Sequence, residues 1–233
     1  MKKTIALCAA LLVGGAAFAA EGESSYAVTL DFPYVSKYVF RGVELADHSI
    51  QPSVEVSVGD FYAGVWNNTP LQNEHDGDIS KETDIYIGYA PALTESLTAD
   101  FGATYFWYPA VGPALDDYSF EISAGVTWSV KGFTPSLYLY RDLHLDVTTI
   151  QTGVGYSIPL ASLGTSLDLN ATFGAVQPDD GEDYCYYSVG VSVPYKLSDK
   201  FTLNVGASYV ENDLDNGDDP GFWGTIGVTY SFE

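Results

Sequence analysis

Over most of its length the chain alternates apolar residues with small or polar ones, the period of a strand that buries one face. Phe120, Ile122, Ala124, Val126 and Trp128 alternate with Ser119, Glu121, Ser123, Gly125 and Thr127. Phe201, Leu203, Val205, Ala207 and Tyr209 do the same against Thr202, Asn204, Gly206 and Ser208. Twelve such segments occur, at 26–42, 50–58, 61–68, 83–91, 96–108, 118–130, 133–142, 147–158, 163–175, 184–196, 200–211 and 222–232. Most exceed the ~5–6 residues usual in soluble sheets and approach the ~9–11 that cross a bilayer at a tilt. No helical period of comparable length is present. Pro33 cannot donate a ladder hydrogen bond, so the first segment is expected to bend or bulge.

The connections between segments fall into two alternating sets. Gly59-Asp60, Pro91 to Glu95, Lys131-Gly132, Pro159 to Gly164 and Leu197 to Lys200 are short. The links at 43–49, 69–82, 109–117, 143–146, 176–183 and 212–221 are mostly longer and more polar. With their flanking strand ends, these links hold 19 of the 31 acidic residues and, of the bases, Lys81 and Arg141 nearby. Lys131, Lys196 and Lys200 lie at the short turns. This layout predicts an all-β fold, an up-and-down antiparallel transmembrane β-barrel of about twelve strands. Its short turns are expected to be periplasmic and its longer acidic loops extracellular.

Alternation alone also fits a soluble barrel or sandwich. Lipid outside is favoured because one face is apolar in nearly every segment, whereas the other is Gly, Ser, Thr, Asn and acids, too polar for a dry core. Aromatic residues gather near segment ends (Tyr105, Trp107, Tyr108, Trp128, Tyr184, Tyr187, Tyr209, Phe222), where interfacial girdles lie. The formal charge of −22 argues against a nucleic-acid partner, whose phosphates would be repelled. Lys2 and Lys3, an apolar run from Ile5 to Val13 and Ala17-Phe18-Ala19 read as a secretory signal peptide over residues 1–19, leaving a barrel over 20–233. The exported chain then has seven basic and 31 acidic residues, and Cys185 as its one cysteine, so no internal disulfide is expected. Cys8 lies too early to be a lipoprotein cleavage site.

In the first segment, Ser36, Tyr38, Phe40, Arg41 and Gly42 match a Ser-x-Tyr-x-Phe-Arg-Gly pattern. The stretch is similar to the signature of the TorF porin family of bacterial outer-membrane proteins. Gln51-Pro52 resembles that family's second strand start, whereas Glu44-Leu45 stands where a Ser-Gln pair is usual. The resemblance implies an outer-membrane barrel with a channel role. It implies no catalytic residue and no particular solute.

Parity along the first segment groups Tyr34, Ser36, Tyr38 and Phe40 with the apolar set, and sends Lys37 and Arg41 into the lumen with Asp31. The same count turns Glu55, Asp84, Asp100, Glu121, Asp168, Asn170 and Asn204 inward, with Trp66 and Tyr86 narrowing the bore. Carboxylates facing two cations have two readings. One is an electrostatic lining that favours cations, with Lys37 and Arg41 shaping a constriction. The other is a salt-bridge network filling a narrow barrel, since a buried Arg requires carboxylate partners. Both can hold at once.

The acidic runs, such as Asp179 to Asp183 and Asp213 to Asp219, read as solvated turns or as loose divalent-cation contacts to anionic lipopolysaccharide. His48, His75 and His144 all fall in the links and form no nucleophile motif. Cys185 shares outward parity with Tyr187 and Val189. The reading is therefore a porin-like channel for passive diffusion of small polar solutes or ions with mild cation preference, not an enzyme. No catalytic residue, metal or cofactor is assigned. Its partners are outer-membrane lipid, lipopolysaccharide and small solutes or ions, with a homo-oligomer left open. The alternative is a closed barrel whose acidic loops bind surface ligands, cations or partner proteins.

Overall fold

The computed structural model describes residues 26–72, 79–111, 116–214 and 220–232. The proposed signal peptide lies outside them, as do Glu74, His75, Asp76, Asp78, Asp215, Asp218 and Asp219. The period-two segments form strands β1 (Tyr26–Phe40), β2 (Val43–Ile50), β3 (Ser53–Val58), β4 (Phe61–Pro70), β5 (Glu82–Tyr89), β6 (Leu97–Trp107) and β7 (Tyr118–Trp128). They continue as β8 (Phe133–Asp142), β9 (Val147–Leu160), β10 (Thr165–Pro178), β11 (Tyr184–Lys196), β12 (Phe201–Asn212) and β13 (Gly221–Phe232). A single 3-10 turn, Ala161–Leu163, follows β9.

Each strand pairs antiparallel with its neighbours, and β13 pairs with β1 from Val28↔Phe232 to Val35↔Thr225, which closes the sheet. β2 and β3 both pair with β1, one after the other, and are separated by Gln51-Pro52. They make one interrupted stave, so thirteen strands build a twelve-stave barrel. Val54, Ile87, Phe101, Ile122, Leu139, Val154, Val189, Val205 and Ile226 are exposed on its outer wall. An apolar surface of this extent belongs in lipid, because water would leave it exposed all round.

The first hairpin departs from the sequence expectation. Residues 43–49 are strand, not a long link, and β1 turns into β2 through Arg41 and Gly42, whose φ values are +41° and +84°. Positive φ at both central residues is the requirement of a type I′ turn, which suits the twist of a two-residue hairpin. Beyond Val35 the β1–β13 ladder stops, and β2 pairs with β4 only at Ser49 and Ile50. The hairpin tip therefore leaves the wall. Pro33 and Pro52 lie at the level of this departure, and a bulge between Tyr38 and Val39 adds twist above it.

The tip goes inward. Tyr38 and Phe40 are 3% and 2% exposed, and they pack with Leu45, Ala46, Trp66, Tyr86, Phe106, Tyr108, Val147, Val176 and Tyr186. Parity put Tyr38 and Phe40 on the outer face; leaving the wall places both faces of the hairpin inside the barrel. Tyr108 is likewise buried in this cluster, where the girdle pattern placed it outside. Trp107, Trp128, Tyr187 and Phe222 do face outward.

Candidate functional site: the lumen and its inward hairpin

Even-numbered residues of β4 and β5 face inward, and four inward tyrosines share one arrangement. Tyr86 on β5 lies over Gly64 on β4 and donates to Glu55 on β3 at 3.1 Å. Register sets Glu55, Gly64 and Tyr86 side by side across the three strands. Asp100, Gly125 and Tyr138 repeat this on β6, β7 and β8, with Tyr138 Oη donating to Asp100 at 3.1 Å. Gln151, Gly174 and Tyr186 repeat it on β9, β10 and β11. Tyr62 lies over Gly88 and reaches Asp100 at 2.9 Å on a diagonal. A side chain at any of these glycines would occupy the space of the ring. The rings thus lie against the inner wall, where upright rings would cross the bore; three phenols hold carboxylates in place and the fourth holds the Gln151 amide.

Above these rungs sits the hairpin tip. Arg41 donates from Nη1 and Nη2 to the two carboxylate oxygens of Glu121 on β7, at 2.8 and 2.9 Å. Its guanidinium also lies 4.5 Å from the Tyr140 ring on β8 and 4.7 Å from that of Phe40. A planar, forked cation suits this double role. Asn212 on β12 donates to the Gly42 carbonyl at 2.7 Å, and Tyr38 Oη donates to Glu82 on β5 at 2.7 Å. Only a segment inside the barrel can touch β5, β7, β8 and β12 together.

Lys37 is placed differently. Its Nζ lies 2.8 Å from Glu44 Oε2 and donates to the Pro220 carbonyl at 2.8 Å, beside the start of β13. Lys37 and Arg41 therefore serve different places, one the hairpin's edge and the other its tip. Ser36 Oγ accepts from the Gly224 amide at 2.8 Å. Among the described residues Arg41 is the only buried basic side chain, whereas Glu82, Asp84, Glu121 and Asp142 are all buried acids.

The inward acids do not form one cluster. Glu55 and Asp100 line the tyrosine rungs, and Asp84 is buried two residues along β5 from Glu82. Asp168 accepts from Ser157 at 2.6 Å in a more open part of the wall. Asn204 donates to Thr229, which donates to Asp31 at the β1–β13 seam. The inward count leaves out Glu82, which falls in the 69–82 link, and Asp142, the last residue of segment 133–142, although Glu82 shares parity with Asp84 and Tyr86. Asp142 accepts from Ser119 and from the amides of His144 and Leu145, fixing the 143–146 turn.

At the rim, Arg141 bridges Asp146 at 2.7 Å and Asp179 at 3.1 Å, and its hydrogen bond holds the Asp179 carboxyl below the usual range. His144 Nε2 lies 3.2 Å from Asp116, with its ring against Tyr118. His48 is bonded to Tyr34 Oη at 2.6 Å. The rings of His48 and His144 thus have partners other than a serine, and Cys185 is a partly exposed free thiol. No group of three or more His, Cys, Asp and Glu among the described residues is arranged to hold a metal.

The barrel is similar in fold to the KdgM porin, with a TM-score of 0.61 at 10% identity over 88% of this chain and 99% of that one. A KdgM porin in complex with disordered oligogalacturonate gives 0.59 at 9% identity over 89% and 99%. The NanC porin gives 0.52 at 15% identity over 88% and 99%. No curated protein sequence matches the chain. The family model that does match covers residues 19–229, under a description different from the TorF name suggested by the Ser36–Gly42 pattern. The chain accordingly belongs to the bacterial family of unknown function described as Gcw_chp.

Proposed function

We propose that this protein is an outer-membrane porin-like channel for passive diffusion of small polar solutes and ions, with a preference for cations. In this reading residues 1–19 direct export, the short-turn end is periplasmic, and lipid and lipopolysaccharide surround the outer wall. The observation that carries the preference is the charge of the inner wall. Buried Glu82, Asp84, Glu121 and Asp142, with Glu55 and Asp100 along the tyrosine rungs, face one buried base, and Arg41 is already committed to Glu121. Carboxylates lining a narrow bore attract cations and repel anions. A chain of carboxylate-bearing sugars such as the oligogalacturonate seen with KdgM is disfavoured here on that ground.

A second reading, a closed barrel, draws support from the inward hairpin, which fills the long-loop half of the lumen with Tyr38, Phe40 and Leu45. Conductance of the refolded chain in a planar bilayer under a salt gradient separates the two. Steps with a cation-selective reversal potential support the channel. Electrical silence from folded, inserted protein refutes it in favour of the closed barrel, and an anion-selective potential refutes the charge argument.

A further inference from the structure

The first hairpin carries two compatible seats in one sequence. Its present seat is the lumen, where Arg41 holds Glu121 and Tyr38 holds Glu82. Its second seat is the wall it left. The β1–β13 ladder runs Val28↔Phe232 to Val35↔Thr225. Continued without a shift, that register sets Ser36 opposite Gly224, Tyr38 opposite Phe222 and Val39 opposite Gly221. Those β13 residues pair with β12 on one side. On the side toward β1 two side-chain bonds substitute for the missing ladder, Gly224 N–H to Ser36 Oγ and Lys37 Nζ to the Pro220 carbonyl.

The side-chain pattern fits the second seat as well as the first. Leu30 and Phe32 are exposed on the outer wall. Continuing that parity turns Tyr38 and Phe40 outward beside Phe222, at an interfacial level, and turns Lys37 and Arg41 inward. An element in which two packings of the same residues are each satisfied is the physical basis of a switch. The hinges are visible too. Pro52 lies in the break between β2 and β3, Pro33 within β1 has no N–H to donate to the ladder, and His48 holds a strained φ of +30° where β2 leaves β4.

We propose that the β1–β2 hairpin is a gate that moves between the lumen and the open edge of β13, latched shut by Arg41 on Glu121. Withdrawal uncovers Glu82 and Glu121, so the open state is also the more cation-selective one. This rests on the channel reading for its consequence, but the movement is read separately. Tyr38→Cys and Phe222→Cys in a Cys185→Ser background place thiols that point to opposite sides of the wall when the hairpin is inside, and to the same side when it zips onto β13. With mild oxidant, adding Arg41→Gln should raise the disulfide yield at least tenfold. The oxidised protein should show larger conductance steps that a reductant reverses. Folding is followed by heat-modifiable migration on gels, and Glu121→Gln breaks the same latch from the wall side if Arg41→Gln does not refold. A folded, latch-broken protein that forms no disulfide overturns the gate. A disulfide that forms with no conductance upholds the movement and overturns the channel reading instead.

Discussion

Gly88→Ala is a sharp test of how the lumen is built. A Cβ at Gly88 falls within the Tyr62 ring, which lies over that glycine on its way to Asp100. The ring must move, and overpacking of this kind costs about 1–3 kcal/mol. Its hydroxyl then loses the carboxylate at 2.9 Å, a charge-assisted bond worth about 1.5–3 kcal/mol. Against these, replacing a strand glycine by alanine returns about 0.5–1 kcal/mol of backbone entropy. The net expectation is a loss of about 1.5–5.5 kcal/mol in the wild-type background. In Tyr62→Ala the same change meets no ring, so it should be neutral or mildly stabilising. Reversible urea unfolding of the refolded barrel in lipid vesicles, read by tryptophan fluorescence, measures all four corners of the cycle. A coupling of about 2 kcal/mol or more is the predicted outcome, and additivity within about 0.5 kcal/mol refutes the stacked-ring account.

Other expectations follow from the same geometry. Glu121→Ala leaves the Arg41 guanidinium buried without its carboxylate and should cost about 3–5 kcal/mol if the hairpin stays inside, whereas release of the hairpin caps the loss at a smaller value; the same unfolding assay decides between them. Asp100→Ala removes the acceptor of both Tyr62 and Tyr138, and should destabilise more than Asp168→Ala, which strips one bond from Ser157. Glu55→Gln with Asp100→Asn should move the reversal potential toward zero; the Gln amide oxygen keeps the Tyr86 contact, and the Asn amide oxygen keeps one of the Tyr62 and Tyr138 contacts while its NH2 donates to the other phenol. At the rim, Asp179 should titrate below free aspartate by NMR and return to it in Arg141→Gln. Its folded value is depressed, so its contribution is present above the unfolded pKa and fades as pH falls through the folded one; as an exposed pair it should barely alter stability.

The barrel itself was legible because alternation is a local property. β7, β9, β10 and β12 announce themselves in any ten-residue window, and parity alone turns Glu55, Asp84, Asp100 and Glu121 away from lipid. The hairpin was not legible for the same reason. Tyr34 to Phe40 alternate as any wall strand does, and nothing within the segment says that Glu121, Tyr140 and Asn212 wait for it across the barrel. The Arg41-Gly42 turn could have been read from its glycine as a tight hairpin, but the acids around 44–47 resembled a polar loop. The tyrosine rungs needed register. Glu55, Gly64 and Tyr86 become one line only when β3, β4 and β5 are aligned, and period two does not fix which residue stands beside which. Glu82 reads as part of a link because it follows a run of turn-forming residues, although its parity joins it to Asp84.

The position of the hairpin on β1 also bears on the order of assembly. β1 is the first stave and, with β13, forms the seam that closes the barrel. The same strand carries Gly42 to Asn212 on β12, a bond spanning 170 residues of sequence. The N-terminal stave is thus fastened to the last part of the chain twice, by its lower half along the rim of the sheet and by its tip through the interior. A tip seated before closure brings β1 toward the late staves and shortens the search for the final ladder. A tip seated afterwards must come in over the long-loop end, past the rim where Arg141 and Asp179 tie neighbouring loops together. Closure and filling are then not independent events, and a lesion at Arg41 should delay completion of the barrel as well as alter what passes through it.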